Sequence, residues 1–563
     1  MDYDRDFSDE ELARLRVLAE EELNIDDLHL GTTLENELEY VGRRLTTNSS
    51  VPGSIHRDRY YQFWEKELEA PEFVLDTLKR GYSLPFSSEP PPSFEKNNAS
   101  ALKDMTFVRA EVKRLEALGC IQKVKHRPRC VLPLSSVFSK KKRLVVDGSR
   151  CLNPFLLHRK IRLQDHRDVP DVVKPGSWFS TNDLDSGYWH IKINPDHWTY
   201  LGIHVVEEDG SVSFYVWKVL FLGISDAVFM FSCMLKPVRI YLAKRGVPIL
   251  IYIDDVFVVG SNRLVCEANT ALSLDVLKKA GWIVSPSKAA GPAPRITFLG
   301  LDICGQELKF FIPEAKLNKL VEILIETIKA KRRTARMMAS LVGKIQSCYR
   351  ALGPVTRFMT RRSYQWICQM VDSFSWDYWQ NLTPEVIDEL TFWKINLRSL
   401  SGYSFSPSLS QIDVKFEVAS DASGVGVFGY LVGDKQVLLK RGFTLEEKKE
   451  SSTYRELVAL RDIYLSDFAV DLKGQVVRHL TDNKAVESIM RIGSSKPKLQ
   501  DMAISIYKKS RDFNFTLLVE WRSREDPLIK FADEGSRLFD QSSYGLNFES
   551  FLYVINYFGH LQL

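Results

Sequence analysis

Two adjacent carboxylates set between apolar runs are the sharpest chemical signal in the sequence. Tyr252-Ile253-Asp254-Asp255 lies between Pro248-Ile249-Leu250-Ile251 and Val256-Phe257-Val258-Val259-Gly260. Such runs predict a strand–turn–strand hairpin that would hold both acids at its tip. Solvent-exposed turn chemistry explains an isolated Asp-Asp pair equally well. A second apolar run, Phe179-Ser180-Thr181-Asn182-Asp183-Leu184-Asp185, also ends in acids, with Asp183 placed 71 residues before Asp254. Strand-end carboxylates that meet across a sheet can hold two divalent cations for in-line displacement at phosphorus. Asp185-Ser186-Gly187 also has the form of an aspartic-protease loop, but bulky Tyr188 follows where that loop needs a small residue.

Further along, four more acids fall on separate predicted elements. Phe416 to Gly424 reads as a strand ending at Asp421 and followed by small residues. Ser451-Ser452-Thr453 caps a helix that carries Glu456 in its first turns. His479-Leu480-Thr481-Asp482-Asn483 is another strand end, and Phe531 to Arg537, with Asp533, starts the last helical piece. Taken singly, each acid reads as an ordinary surface carboxylate. Together, two at strand ends and two on helices can converge on a second two-metal phosphodiester site.

The elements that must position these groups belong to a large chain. It has 563 residues, 45% hydrophobic and 26% charged, which at roughly 150 residues per domain implies three or four domains. No run approaches the roughly 18 apolar residues of a membrane span, and the acidic start is neither a signal nor a transit peptide. Eight cysteines with no CxxC, and ten histidines with no HExxH, give little support to a zinc cage. Free thiols fit a reducing, intracellular setting, cytoplasm or nucleus. The net charge of +4 hides an asymmetry: residues 1–40 carry 14 acids against 3 basic residues, leaving the remainder strongly basic. Thr327 to Val371 contains no Asp or Glu but ten Lys and Arg, which suggests a face that meets polyanions or a solvated basic helix. Ser87 to Ser93 and Ser401 to Ser410 read as linkers. Short β-rich runs, among them Trp189-His190-Ile191-Lys192-Ile193, alternate with helical stretches such as Phe107 to Gly119, an α+β or α/β signature.

The ordered set of motifs resembles the reverse transcriptases of retroelements. It runs through Lys140-Lys141-Lys142-Arg143-Leu144-Val145-Val146-Asp147 with Leu152-Asn153, then Phe179 to Ile191, Tyr252 to Asp255, Ser287-Lys288 and Phe298-Leu299-Gly300. The later acids resemble the D-E-D-D set of the ribonuclease H fold. Ser451 to Leu457, Asp482-Asn483 and Val519-Glu520-Trp521 look most like DIRS-type retrotransposon polyproteins. The resemblance implies an α+β and α/β multidomain chain, a right-hand polymerase of fingers, palm and thumb followed by a ribonuclease H-like domain. Its expected divisions are a leader at 1–50, fingers and palm at 51–310, a basic thumb and connection at 311–405, the ribonuclease H-like domain at 412–540 and a tail at 541–563. It implies Asp183, Asp254 and Asp255 as catalytic carboxylates, the first two as metal ligands, and Asp421, Glu456, Asp482 and Asp533 as both catalytic and metal-binding. Lys140 or Lys141 with Arg143 would clamp the incoming triphosphate, beside Tyr188 under the sugar and Gly223 in the pocket loop. Lys331, Arg332, Arg333, Arg336 and Lys344 would grip nucleic acid. Expected cofactors are two Mg²⁺ per site, with Mn²⁺ as the alternative. Expected partners are an RNA template, a DNA primer, the RNA–DNA hybrid and deoxynucleoside triphosphates, with no membrane and the oligomeric state left open.

Two departures qualify the resemblance. Leu220-Phe221-Leu222-Gly223-Ile224-Ser225-Asp226-Ala227 lacks both prolines usual in the pocket loop. A nucleic-acid-binding protein with ribonuclease H activity alone, or without catalysis, is therefore the alternative. No histidine lies between Asp482 and Asp533, so a product-release histidine is not assigned there. The 26 residues past Arg537 are too few for a tyrosine-recombinase pattern, so the expected content is polymerase and ribonuclease H, without integrase or protease.

Overall fold

The computed structural model describes residues 51–138, 142–405 and 414–538. The expected leader at 1–50, the tail at 541–563, and Lys140 and Lys141 lie outside the described residues. The α+β and α/β multidomain class expected from the sequence is the class observed. The described chain divides into two compact units, 51–321 with 397–405, and 322–396 with 414–538. Among the described residues no helix is long and apolar enough to cross a membrane.

The first unit is built around a four-stranded antiparallel sheet. Its strands are β1 (Trp178–Asp183), β2 (Ile249–Tyr252), β3 (Asp255–Gly260) and β4 (Ala290–Ala293), in the order β4-β1-β3-β2. Alternation along β3 explains why this sheet is covered on both faces. Val256 and Val258 join the main core with Met230 and Met234 of helix α1 (Ala227–Lys244). Phe257 points the other way and stacks between Phe179 and Phe298, at ring distances of 5.2 and 4.8 Å. Helix α2 (Arg263–Lys279) packs against β3, its start capped by Asn262, which accepts from Val265 N. A five-stranded sheet, ordered 93–94, 130–131, 202–206, 212–217 and 121–124, lies before and between these elements in the chain. A two-stranded ribbon, Leu134–Phe138 with Lys142–Val146, pairs Val137 with Arg143.

Trp189-His190-Ile191-Lys192-Ile193, expected as a strand, departs from that reading. Gly187–His190 is a short 3-10 turn. Ser186 enters it with φ +53°, and buried His190 clamps it, with Nδ1 bound to Gly187 O and Nε2 accepting from Ile283 N. Only beyond the turn does extended pairing begin, at Lys192 and Ile193.

The second unit joins a helical group to a mixed sheet. The helices are α3 (Ala335–Gln346), α4 (Arg361–Ser373) and α5 (Pro384–Leu400). The sheet comprises β5 (Phe416–Ala422), β6 (Gly426–Leu431), β7 (Val437–Gly442), β8 (Val476–Thr481) and β9 (Thr516–Trp521), ordered β7-β6-β5-β8-β9. β5, β8 and β9 run parallel, so their carboxyl ends lie on one edge, while β6 and β7 are antiparallel. Helices α6 (Ser452–Leu465), α7 (Lys484–Ile492), α8 (Pro497–Asp512) and α9 (Pro527–Arg537) complete it. Ser451 caps α6 as expected, accepting from Tyr454 N at 3.2 Å. The last helix begins earlier than Phe531: Asp526 caps it and Pro527 opens it. Gly535 lets α9 lie against β6, since a Cβ there would sit 2.4 Å from the Phe428 ring.

Candidate functional site

The apolar runs around Asp254 form the expected hairpin, with Ile253 and Asp254 as its two-residue turn. Ile253 has φ +52°, a left-handed backbone that a β-branched residue adopts at a cost of about 1–3 kcal/mol. Register brings Asp255 directly opposite Asp183, so these two carboxylates share one face at one end of the sheet. Asp254, in the turn, accepts on its carbonyl from Leu184 N at 3.0 Å, which ties the hairpin to the end of β1. All three acids therefore occupy one end of the sheet, although they are not drawn into a three-ligand cluster tighter than 4.8 Å.

Electrostatics shows how strongly they feel one another. Burial pushes the Asp255 carboxyl up to about 6, and the charges of Asp254 and Asp183 add to the shift. Asp254 is raised by burial and Asp183, while Lys288 and Arg143 oppose the rise. Lys288 Nζ sits 2.7 Å from Asp183 Oδ2. Its role escaped sequence reasoning, which met it only within Ser287-Lys288. Arg143, which pairs with Val137 in the ribbon, acts on Asp254.

Tyr188 packs its ring on Phe231 at 5.0 Å, and its buried hydroxyl has no hydrogen-bond partner among the described residues. Its neighbour Gly187 passes close to the hairpin: a Cβ there would lie 3.3 Å from Asp254 Cβ. The proline-free loop around Gly223 is held by other means. Phe221 and Ile224 are buried, and Phe221 packs on Trp217 at 4.6 Å. Asn153 straddles the loop, donating to Gly223 O at 3.1 Å and accepting from Ser225 N at 3.0 Å. Gly223 has φ +127°, and a Cβ there would fall 2.1 Å from Val146 O. Just beyond it, buried Asp226 holds Arg159 and Tyr82 in a hydrogen-bonded trio at the start of α1.

The later acids converge more tightly. Asp421 near the end of β5, Glu456 on α6 and Asp482 just past β8 bring ligand atoms within 4.8 Å of one another. Parallel β5 and β8 place two of them on the same sheet edge, where such sheets carry their ligands. His479 fastens this edge from inside. It is fully buried, held neutral well below its ordinary pKa, and lies 2.9 Å from both Ser420 Oγ and Tyr464 OH. Asp421 is pushed to about 6 by burial, with Asp482 and Asp533 adding, although Ser536 Oγ donates to it at 2.7 Å. Glu456 is raised well above the carboxylate range by burial and by both neighbours, and its Oε2 has no partner among the described residues. Asp533 stands apart at the rim, paired with Arg537. Arg524 pairs with Asp482 at 2.6 Å. Ser536 lies one helical turn after Asp533, a spacing visible in the sequence but not used there.

This donor set fits a hard divalent cation. The three carboxylates crowd together, one oxygen is orphaned in a buried setting, and each charge raises the proton affinity of the others; added positive charge relieves all three conditions. The hairpin acids fit one less completely, because Lys288 supplies part of the countercharge there.

The acid-free segment is not one solvated face. Lys331 and Arg332 are exposed and Arg333 is half-buried, in a short ribbon pairing Arg332 with Asn381 and Arg333 with Gln380. Arg336 is bidentate to Asp377, and Lys344 is half-buried on α3. Arg361 and Arg362 are buried and bind α7 and α8 of the same unit. Arg361 donates to Ile492 O, and Arg362 donates to Pro497 O and pairs with Asp501.

Residues 131–303 match the family model for reverse transcriptase (RNA-dependent DNA polymerase). That span contains Arg143, Asp183, Tyr188, Gly223, Asp254 and Asp255; the later carboxylate cluster lies outside it. The chain is 24% identical over 245 residues to the enzymatic polyprotein of Cestrum yellow leaf curling virus, covering 43% of this chain and 37% of that protein. It is 24% identical over 163 residues to the enzymatic polyprotein of figwort mosaic virus (strain DxS), covering 29% and 23%. These alignments thus span well under half of either relative. Among solved structures, a foamy viral protease-reverse transcriptase in complex with RNA/DNA hybrid aligns with TM-score 0.47 and 18% identity, covering 90% of this chain and 65% of that one.

Proposed function

We propose that the chain is an RNA-directed DNA polymerase that also cleaves the RNA strand of RNA–DNA hybrids, using two separate carboxylate sites. The observation that supports the polymerase reading most is the in-register pairing of Asp183 with Asp255, beside Asp254 in the turn, inside the segment matched to reverse transcriptase. Asp183 and Asp254 would hold divalent cations at one site, and Asp421, Glu456 and Asp482, with Asp533 at the rim, at the other; Mg²⁺ is the proposed ion, with Mn²⁺ as its substitute. When bound, such ions polarise phosphoryl oxygens and activate the attacking oxygen.

The chain's own groups do the rest of the positioning. Arg143 offers five donors to an incoming triphosphate, with Lys140 or Lys141, close to it in sequence, as the second clamp. Tyr188 would sit under the sugar, where its bulk disfavours a 2′ hydroxyl and selects deoxynucleotides. Gly223 keeps the pocket loop close to Val146. Lys331, Arg332, Arg333, Arg336 and Lys344 would contact the phosphates of the RNA template, DNA primer and hybrid, in a salt-sensitive and sequence-independent way. The buried anchors of the loop around Gly223 weigh against the alternative of a decayed polymerase, since that loop keeps a defined packing without its prolines. We further propose a retroelement origin of DIRS type, resting on Ser451 to Leu457 and the Asp482-Asn483 pair, and action inside the cell, consistent with eight free cysteines.

The test is primer extension on poly(rA)–oligo(dT) with Mg²⁺, run beside cleavage of a labelled hybrid. Asp254→Asn should abolish extension and spare cleavage, and Asp482→Asn should do the reverse. Extension that persists in Asp254→Asn, or cleavage that persists in Asp482→Asn, refutes the corresponding assignment.

A further inference from the structure

Between α4 and α5 of the second unit, Phe374, Tyr378 and Trp379 are 49, 48 and 46% exposed, three large aromatic residues within six positions. Burial did not draw them inward, and the segment that carries them is anchored through its backbone and through Asp377. Arg336 N donates to Trp376 O at 3.0 Å, the Arg336 guanidinium grips Asp377, and the same guanidinium lies 5.9 Å from the Trp376 ring. Phe374 and Tyr378 stack on each other, 4.5 Å apart and 9° from parallel. Arg332 donates to Trp379 O at 3.5 Å, so the exposed basic ribbon borders the rings. Lys331, Arg332, Arg333 and Arg336 outnumber the nearby acids Asp372 and Asp377, and the latter is already paired.

We propose that Phe374, Tyr378 and Trp379, bordered by Lys331, Arg332 and Arg333, form a stacking platform for the bases of single-stranded nucleic acid. Exposed ring faces beside cations match the two demands of an unpaired strand: a π-surface for each base and positive charge for each phosphate. A duplex keeps its base faces inside its own stack, so it would meet the cations but leave the rings unused. The bordering charge disfavours a second copy of this chain as the occupant, because it would bring like charge against like. The proposal is independent of both carboxylate sites.

The experiment uses the full chain and fluorescence anisotropy of labelled (dT)20, beside a labelled hairpin duplex of the same strand length. Trp379→Ala, and separately Phe374→Ala with Tyr378→Ala, should each weaken (dT)20 binding about fivefold or more. Trp379→Phe should restore it to within about twofold, since an aromatic face is retained. Duplex affinity should stay within about twofold in every variant. The proposal is overturned if neither alanine variant changes (dT)20 affinity. Equal weakening of single strand and duplex also overturns it, because charge or fold alone would then explain binding. So does a self-association of the wild type, seen by sedimentation, that the alanine variants abolish while (dT)20 affinity is unchanged. Loss of Asp254-dependent synthesis bears on the polymerase reading and leaves this one untouched.

Discussion

Replacing Asp421 by Asn should stabilise the metal-free protein while destroying hybrid cleavage. Asp421 is 6% exposed, and its carboxyl is raised from an ordinary 3.8 to about 6. In the unfolded chain the group ionises near its ordinary value, so between these two pH values the folded state binds more protons. Stability therefore falls as pH rises through that window and stays depressed above it. A shift of about two units corresponds to about 3 kcal/mol, a ceiling because Glu456 and Asp482 share the repulsion. Asn keeps an oxygen to accept from Ser536 Oγ, so the hydrogen bond at 2.7 Å survives the change. Urea denaturation of the full chain in EDTA, followed at pH 4 and pH 7.5, reads the effect. The variant should gain up to about 3 kcal/mol at pH 7.5 and no more than about 0.5 kcal/mol at pH 4. Millimolar MgCl₂ at pH 7.5 should stabilise the wild type and not the variant. A variant less stable than wild type at pH 7.5, or one whose gain does not depend on pH, refutes the electrostatic account of this cluster.

Three other outcomes are expected. Lys288→Met removes the cation that favours ionised Asp254 and Asp255, so the acidic limb of the extension pH–rate profile should move to higher pH; a limb that stays in place contradicts the pairing. Gly223→Ala puts a Cβ against Val146 O at a φ that favours glycine, and extension should drop tenfold or more while hybrid cleavage stays within about twofold; unaltered extension would show that the loop does not shape the pocket. Arg362→Ala should cost about 2 kcal/mol in denaturation, by leaving Asp501 and the Pro497 carbonyl without their donor; the salt dependence of hybrid binding should not change, and a shallower slope would place Arg362 on the nucleic acid instead.

Much of the candidate site was legible because it obeys local rules. Alternating apolar residues on either side of Asp254 demand a hairpin, and the hairpin alone puts its acids at a sheet end. Ser451 announces α6, and with it the helix that carries Glu456. What escaped depends on partners distant in the chain or on competing local geometry. Lys288 gains its role only when β4 and its approach fold beside β1, more than one hundred residues from Asp183 in sequence. Trp189-His190-Ile191-Lys192-Ile193 has strand composition, but the left-handed Ser186 and the buried His190 turn its start into a 3-10 coil. Arg361 and Arg362 look like part of a solvated basic run, because the carbonyls and the carboxylate that receive them lie more than 125 residues further on. The start of α9 obeys a local rule as well, with Asp526 as its cap and Pro527 at its first position.

Those two arginines have a consequence for modularity. Together with Gln365, which donates to Ser495 O, and Gln500, which donates to Phe358 O, they stitch α4 and the residues before it to the corner between α7 and α8. The strand that carries the first acid of the second set begins at Phe416, but the compact unit that holds this set also takes in residues 322–396. A fragment starting at residue 414 would carry every carboxylate of the cluster and still present bare acceptors where α4 had docked. Separating the carboxylate cluster from α4 therefore leaves a raw edge on the piece that keeps the acids.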